Sequence, residues 1–168
     1  HAAHEKIIFK RLVARHRQAR ANGVPLIQDL LVPVVIDVGR RDMQTLQDEE
    51  QQLKLMGFDC SPIGAVSVAI RSIPDTGDRQ LEPGPALRLA LAAIQQDQLK
   101  ADDAILEVFY QMACKAAVKA HDHLDSLEIE RLLEDLQQLE DPYHCPHGRP
   151  VIVQLSRRDL EKRFRRIV

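Results

Sequence analysis

Two hydrophobic periodicities alternate irregularly along this chain, and they constrain its fold more than any other feature. Residues 1–20 carry apolar side chains near helical spacing, and residues 105–116 do the same. Residues 65–71 instead alternate apolar and other side chains, which predicts a half-buried strand with Val66, Val68 and Ile70 on one face. Because helices and strands do not follow one another as regular βαβ units, the sequence predicts an α+β fold.

Turn and capping residues set the expected boundaries of these elements. Asn22-Gly23 is expected to end the first helix, and Asp42 to begin a second one that stops at Gly57. Residues 30–38 form an apolar β-branched run that Pro33 restricts to an edge or bulged strand. Further helices are predicted over 86–98, 102–124 and 126–139, a short strand over 151–155, and a last helix capped by Ser156.

Length and composition fit one globular domain of 168 residues, 45% of them hydrophobic, with a net charge of −2. With 4% aromatic residues and no Trp, a base-stacking platform is excluded. The scattered Cys60, Cys114 and Cys145 argue against a disulfide scaffold and for a reducing compartment. Since no apolar run could cross a bilayer, we expect a cytoplasmic protein without a membrane partner.

The charges are unevenly distributed along the chain. Residues 1–20 and 156–168 are basic, whereas residues 42–50 and 128–141 are acidic. Solvated helix faces explain such runs in most proteins. If the two ends meet in space, they instead form one positive surface suited to a phosphate backbone.

His1 and Glu5 are the first candidate site residues. On a helix they lie four residues apart on one side, with His4 alongside, and an imidazole and a carboxylate at this spacing can hold a divalent metal. A polar helix start without any ligand is the alternative interpretation of these residues alone.

The hexapeptide over 145–150 is the second candidate. A turn held by Pro146 and Gly148 can aim Cys145 and His147 inward, and a thiolate with an imidazole suits zinc. The alternative is a half-buried Cys beside a surface His. Cys114 flanks the apolar stripe of 105–116, where packing is the commoner role of a cysteine. Nucleotide-binding, serine-hydrolase and zinc-ribbon motifs are missing from the sequence.

Taken together, these motifs resemble those of one family. HAAHE at 1–5, ACK at 113–115, CPHGRP at 145–150 and FRR at 164–166 follow the order seen in the C-terminal domain of the mismatch-repair family MutL. The family's motifs there are DQHA-x-x-E-x-x-x-x-E, ACR, CPHGRP and F-x-R. The resemblance spans essentially the whole chain, and it is to the members that nick DNA.

The resemblance implies specific roles for residues of this chain. The matching metal-site positions are His1, Glu5, Cys114, Cys145 and His147, with Glu5 and His1 as the catalytic pair. Three motif positions border that site, namely Arg149, Phe164 and Arg166. A segment that docks on the processivity sliding clamp matches Gln28, Leu30, Leu31, Val32 and Pro33.

The function implied is a latent metal-dependent endonuclease, weak alone, that nicks double-stranded DNA during mismatch repair and forms a homodimer. Zinc fits the thiolate and imidazole ligands, and manganese, or magnesium, fits the chemistry. DNA binding is expected to be weak and not sequence-specific. The further partners implied are the sliding clamp, a mismatch-recognition protein and the ATPase domain of the full-length protein, in a bacterial, nucleoid-associated setting.

The sequence departs from the family pattern at three places. The Asp-Gln that precedes the first His in the family lies outside this sequence, Lys10 stands where the family has its second Glu, and Lys115 replaces Arg. The first two departures favour an alternative, a non-catalytic dimerisation and clamp-docking module with a structural zinc site, whereas the intact Glu5, Cys114, Cys145 and His147 oppose it.

A site built from both chain ends requires those ends to pack together. We therefore predict two lobes. Residues 1–24 and 143–168 form the site-bearing dimerisation lobe, residues 25–100 form a regulatory lobe, and 101–142 supply the connecting helices.

Overall fold

The computed structural model describes residues 1–25, 27–77, 80–95, 102–119, 121–145, 148 and 150–166. Mixed helices and one small antiparallel sheet make the fold α+β, as predicted. Among the described residues, no helix is both long and apolar enough to span a membrane. The elements are α1 (Ala2–Asn22), β1 (Ile27–Asp37), α2 (Arg40–Asp48), α3 (Glu50–Leu55), β2 (Asp59–Pro62), β3 (Ser67–Pro74), α4 (Pro83–Gln95), α5 (Asp102–Ala116), α6 (Ser126–Gln137) and α7 (Arg157–Arg163).

The first helix begins and ends close to its predicted boundaries. Gly23 caps α1, and its amide donates to the Ala19 carbonyl at 2.7 Å. The apolar stripe of α1 is buried at Ile8, Leu12 and Val13. This stripe attaches α1 to the core and fixes the direction in which its polar N-terminal residues point.

The sheet has the order β1-β3-β2, so β3 is its central strand. The sequence analysis missed β2, and its interpretation of 65–71 was partly wrong. Val66 is exposed and precedes β3, whereas Ala69 is buried beside Val68 and Ile70. Because β3 has a neighbour on each side and is covered by packing, its burial does not alternate.

The helix predicted over 42–56 is divided in two at Glu49. Gly39, not Asp42, occupies the N-cap, and the Asp42 carboxylate accepts a hydrogen bond from the Gly39 amide at 3.3 Å. Gly57 ends this region as expected. Its φ is +100°, and a Cβ there would lie 2.9 Å from the Pro74 Cα, so glycine is required.

The buried residues of α1, the sheet, α4 and α5 form one continuous hydrophobic cluster. Its α5 members include the predicted stripe, Ile105, Phe109, Met112 and Ala116, all of which are buried. A single cluster extends across the proposed boundary at residue 24. The division into two lobes is therefore not confirmed.

The C-terminal segment differs from the prediction. Residues 151–155 form no strand, and Val153 is 69% exposed. An isolated bridge joins His144 to Pro150, and a strand needs a longer ladder than that to form. The last helix does begin at Ser156, whose hydroxyl accepts from the Asp159 amide at 3.1 Å, but it ends at Arg163.

Candidate metal centre

The candidate site lies on the seam where α1 and α5 pack against each other. Helix α1 faces α5 in the antiparallel sense. Phe9 meets Tyr110 edge to face with ring centroids 6.2 Å apart, and His1 lies opposite Cys114 and Val118. On each helix, the residues that line this α1–α5 seam are about four positions apart. Each of them faces a residue of the other helix, so the contacts form successive pairs along the seam.

Three potential ligands converge at the N-terminal end of α1. The Nε2 atom of His1 is 3.3 Å from Glu5 Oε2 and 3.9 Å from Cys114 Sγ. One ligand atom from each of these residues lies within 4.8 Å of the others. An imidazole, a carboxylate and a thiol at this spacing can hold one divalent ion.

A backbone carbonyl sets the tautomer of His1. Its Nδ1 atom is 2.7 Å from the Val118 oxygen, and since a carbonyl only accepts, Nδ1 carries the proton. When the ring is neutral, its Nε2 lone pair therefore faces Glu5 and Cys114. Hydrogen bonding of the other ring nitrogen to a carbonyl is the usual arrangement of a metal-binding histidine.

The neighbouring His4 has a different position. It is buried, and its Nδ1 accepts a hydrogen bond from the Val118 amide at 3.3 Å. Both polar backbone groups of Val118 are thus bound by α1 histidines. This double contact ties the residues that follow α5 to the start of α1 and keeps His1 beside Cys114.

Glu5 carries a carboxylate in a buried position, with only 6% of its side chain exposed. A buried carboxylate requires compensating donors or a cation. Tyr110 supplies a hydrogen bond to it. Burial raises the pKa of Tyr110, and the bond to Glu5 and the charges of Glu5, Cys145 and Cys114 raise that pKa further, so the hydroxyl stays a donor.

Cys145 approaches this site from the C-terminal segment. It is buried, and like Glu5 and Cys114 it lies near enough to Tyr110 to contribute to the raised pKa of that hydroxyl. It does not, however, belong to the group of atoms within 4.8 Å. The Gly148 amide donates to the Cys145 carbonyl at 2.8 Å, which closes the expected turn.

The remaining predicted site residues are placed as follows. His147 and Arg149 lie outside the described residues, so their roles stay predictions. Phe164 and Arg166 are exposed beyond the end of α7. Lys10 is exposed on α1, one turn beyond the buried Lys6.

Lys6 and Tyr110 are polar residues that sequence analysis missed. Lys6 is 2% exposed, and its ammonium donates to Asp141 Oδ2 at 3.1 Å and to the His144 carbonyl. A lysine between charged and apolar neighbours gives no sign of burial. For Tyr110 a signal existed, because it precedes Cys114 by four residues and thus shares its helix face.

Three of the six basic residues of α1 have acidic partners within the fold. Arg11 pairs with Asp135 of α6 at 2.6 Å, and Arg15 pairs with Asp75 at 2.6 Å. With Lys6, three of the cations expected to form a positive surface have internal acidic partners. The basic residues of 157–166 are exposed, in contrast, and although Arg157 pairs with Glu161 at 3.0 Å, that side chain too is accessible to a ligand.

The segment predicted to dock a clamp lies on β1, which pairs with β3 alone within the described part of the chain and is an edge strand there. The pairing passes from Asp29–Ser72 to Val34–Ile70, so residues 30–33 are out of register. Leu31 is fully exposed and Val32 is 73% exposed. An apolar bulge on a sheet edge is an unusual surface for an isolated domain.

Comparison with known proteins bears on this geometry. Residues 1–124 match the family model described as the MutL C terminal dimerisation domain. The DNA mismatch repair protein MutL of Clostridium botulinum is 37% identical over 172 aligned residues, covering all of this chain and 24% of the relative. Those of Clostridium perfringens, 36% identical, and Thermoanaerobacter pseudethanolicus, 34% identical, align with 99% and 100% of the chain and 24% and 26% of their own lengths.

The chain thus spans about a quarter of the length of the curated relatives it matches. The matched region is the C-terminal one that the family model describes, and it contains His1, Glu5 and Cys114. The chain belongs to the family of MutL C-terminal dimerisation domains.

Proposed function

We propose that this domain is a metal-dependent endonuclease that nicks double-stranded DNA in mismatch repair. The observation that carries the proposal is the convergence of His1, Glu5 and Cys114 on the α1–α5 seam. Helices α1 and α5 are far apart in sequence, and both are held by the same core. A ligand set positioned by two packed helices suits a function that depends on fixed geometry.

The residues fit a divalent ion. His1, Glu5 and Cys114 would hold it, with Cys145 and His147 as further ligands from the turn. With Nδ1 protonated, Nε2 of His1 faces a carboxylate oxygen and a sulfur, an arrangement that needs a cation between them, either a proton on Nε2 or a divalent ion. Thiolate and imidazole favour zinc, while the carboxylate and imidazole also suit manganese or magnesium.

The side chains around the ion have separate tasks. When bound, the ion would polarise a phosphoryl oxygen and lower the pKa of an attacking water. The Val118 carbonyl holds the His1 ring, and Tyr110 holds the Glu5 carboxylate. The His1 side chain is 42% exposed, so the site opens to solvent and a phosphodiester could approach it from outside.

Weak, non-specific DNA binding would come from the exposed cations near the C-terminus. Arg157, Arg158, Lys162 and Arg163 are exposed on α7, and Arg165 and Arg166 follow it. Contacts of such side chains to phosphates carry no sequence information. Since three of the six α1 cations have acidic partners in the fold, we assign DNA contact mainly to the C-terminal cations.

The domain would act as a homodimer, as the description of its family indicates. Support comes from large apolar side chains that are exposed on α6 and in the C-terminal segment, including Leu127, Leu133, Tyr143, Val153 and Phe164. An exposed apolar surface of this kind is characteristic of an interface. Sedimentation of the domain at micromolar concentration tests this, and a monomer would contradict it.

Docking on a sliding clamp is proposed for the bulge of β1. Its support is the exposure of Leu31 and Val32 on an edge strand that is free to present them. The mismatch-recognition protein and the ATPase domain are proposed partners on the basis of the family alone.

Nicking of supercoiled plasmid in manganese buffer tests the catalytic proposal. Wild-type protein should convert plasmid to the open circle, and Glu5→Gln should lose this activity, because the amide keeps the shape but not the charge. Glu107→Gln, a change at an exposed glutamate of α5, should retain it. Equal nicking by the Glu5→Gln protein would contradict the proposal.

The alternative of a structural zinc site in a non-catalytic module makes a different prediction. Zinc would be bound with a fixed stoichiometry, and removal of Glu5 would change stability but no nuclease activity. A wild-type protein that binds zinc, docks on the clamp and never nicks plasmid would favour this alternative.

A further inference from the structure

Lys6 is a buried cation next to the candidate ligands, and neither the family motifs nor the proposed mechanism assigns it a role. It follows Glu5 on α1, and its side chain is 3% exposed. Lysine is almost never buried unless its charge is paired, because desolvation of an ammonium is costly. We therefore expect the buried ammonium of Lys6 to have specific hydrogen-bond or ion-pair partners.

Two hydrogen-bond partners of Lys6 belong to the C-terminal segment. The ammonium donates to Asp141 Oδ2 at 3.1 Å and to the carbonyl of His144. Asp141 in turn accepts from the Tyr143 amide at 2.9 Å. One α1 side chain thus holds two points of the segment that leads directly into Cys145.

Other contacts shape this segment without attaching it to α1. The Val151 amide donates to the Tyr143 carbonyl at 2.7 Å, and the Gly148 amide donates to the Cys145 carbonyl at 2.8 Å. These bonds are internal to residues 143–151. The salt bridge of Lys6 is different because it connects the segment to the helix that carries His1 and Glu5.

We infer that Lys6 is a positioning residue whose ammonium anchors residues 141–145 to α1 and so sets the Cys145 thiol beside the His1, Glu5 and Cys114 cluster. This inference rests on the proposed metal site. Its direct consequence, the protection of Cys145 in the metal-free protein, does not require any metal to bind.

Lys6→Met is the informative substitution. Methionine keeps the length and apolar stem of the lysine and removes the charge, and buried ion pairs often tolerate replacement by apolar groups. The partner Asp141 is 56% exposed, so it would be left in water and not as a buried unpaired charge. The apolar face of α1 is unchanged, and the fold should survive.

The first experiment measures alkylation of each cysteine by iodoacetamide in metal-free protein, resolved by peptide mass spectrometry. In Lys6→Met, Cys145 should react at least about tenfold faster than in wild type. Cys60, buried in the core, serves as the internal measure of folding and should react slowly in both proteins. Lys10→Met, a change at an exposed lysine of the same helix, should leave Cys145 protected.

The second experiment measures zinc affinity by competition with a chromogenic chelator. Lys6→Met should weaken binding roughly 10–100-fold, the range seen when a residue that orients a ligand is removed. Lys10→Met should bind as wild type does. Asp141→Asn should also raise Cys145 reactivity and lower zinc affinity, but both effects should be smaller than in Lys6→Met, because the bond from Lys6 to the His144 carbonyl remains.

A Lys6→Met protein with Cys60 still protected and Cys145 as slow as in wild type would overturn the inference. If Cys60 also becomes reactive in Lys6→Met, the Asp141→Asn protein provides the test, because that exposed substitution leaves the core unchanged. Unchanged Cys145 reactivity in Asp141→Asn would then overturn the inference. Wild-type protein that binds no zinc would refute the proposed metal site, while the alkylation rates would still decide the role of Lys6.

Discussion

The α1–α5 seam and the C-terminal segment 141–166 both contribute to the candidate site, but they are stabilised in different ways. The seam is held by buried apolar residues such as Ile8, Leu12 and Phe109. The segment leaves Tyr143, Val153 and Phe164 exposed and is joined to α1 through the polar contacts of Lys6. Packing therefore fixes the positions of three of the proposed ligands. The segment that carries Cys145 is instead attached to α1 by the polar contacts of Lys6.

Two phenylalanines provide a matched test of this difference. Phe109 is 1% exposed in the seam, and Phe164 is 75% exposed after α7. Phe109→Ala should lower the free energy of unfolding by about 3–5 kcal/mol because it leaves a cavity. Phe164→Ala should change it by less than about 0.5 kcal/mol. Urea denaturation, at a concentration where the protein is monomeric, measures both, and similar losses would contradict the contrast.

Removal of the segment's thiol should affect metal binding more than stability. Cys145→Ala should lose metal and manganese-dependent nicking together, by more than the roughly 10–100-fold expected for a residue outside the coordination shell. Zinc content and plasmid nicking measured on the same preparation check this.

Cys60→Ala is the control for that change. Burial raises the pKa of the Cys60 thiol to about 11, so it remains protonated near neutral pH and is a poor ligand. This variant should retain metal. Normal nicking by the Cys145→Ala protein would show that Cys145 does not belong to the catalytic site.

The exposed bulge of β1 is a third region, outside both parts of the site. Replacing Leu31 and Val32 by Ala should weaken clamp binding at least about 30-fold, which corresponds to the loss of an interface hot spot of about 2 kcal/mol. The fold should be unaffected, because both side chains already face solvent. Surface plasmon resonance against an immobilised clamp measures the change, and unaltered affinity would refute docking at this bulge.

The smallest effect is expected from substitution of Lys10, which is exposed and cannot bind a metal ion while its amine is protonated. Lys10→Glu should retain metal binding and weaken DNA affinity only modestly. The slope of log affinity against log salt should fall by about one, as for a single phosphate contact. Fluorescence anisotropy over a salt series tests this, and loss of metal in this variant would contradict it.

Local patterns predicted much of the fold. The stripe of Ile105, Phe109 and Met112, the stop at Gly23 and the cap at Ser156 all depend on nearby residues, and each is confirmed. The prediction of a strand over 151–155 is wrong because a strand requires a neighbouring strand, which its own local sequence cannot specify. Burial of both faces of β3 likewise depends on β1, β2 and the helices that cover them.

For the site, the motifs indicated which residues belong together but not what holds them. The convergence of His1, Glu5 and Cys114 was predicted from two motifs and agrees with the geometry. Lys6 acts through a contact across 135 positions of sequence, which no local pattern encodes. Tyr110 contacts Glu5 across 105 positions, and its only local signal is its spacing of four residues from Cys114. The residues that orient a site are in this respect harder to predict than its ligands.

Titration with cobalt(II), a spectroscopic substitute for zinc, tests the central claim most directly, because a thiolate bound to cobalt gives a charge-transfer absorption. Wild-type protein should show this absorption at a fixed metal stoichiometry. Cys114→Ala should reduce both its intensity and the cobalt affinity, and Cys60→Ala should change neither. An unchanged absorption and affinity in Cys114→Ala would contradict a metal site on the α1–α5 seam.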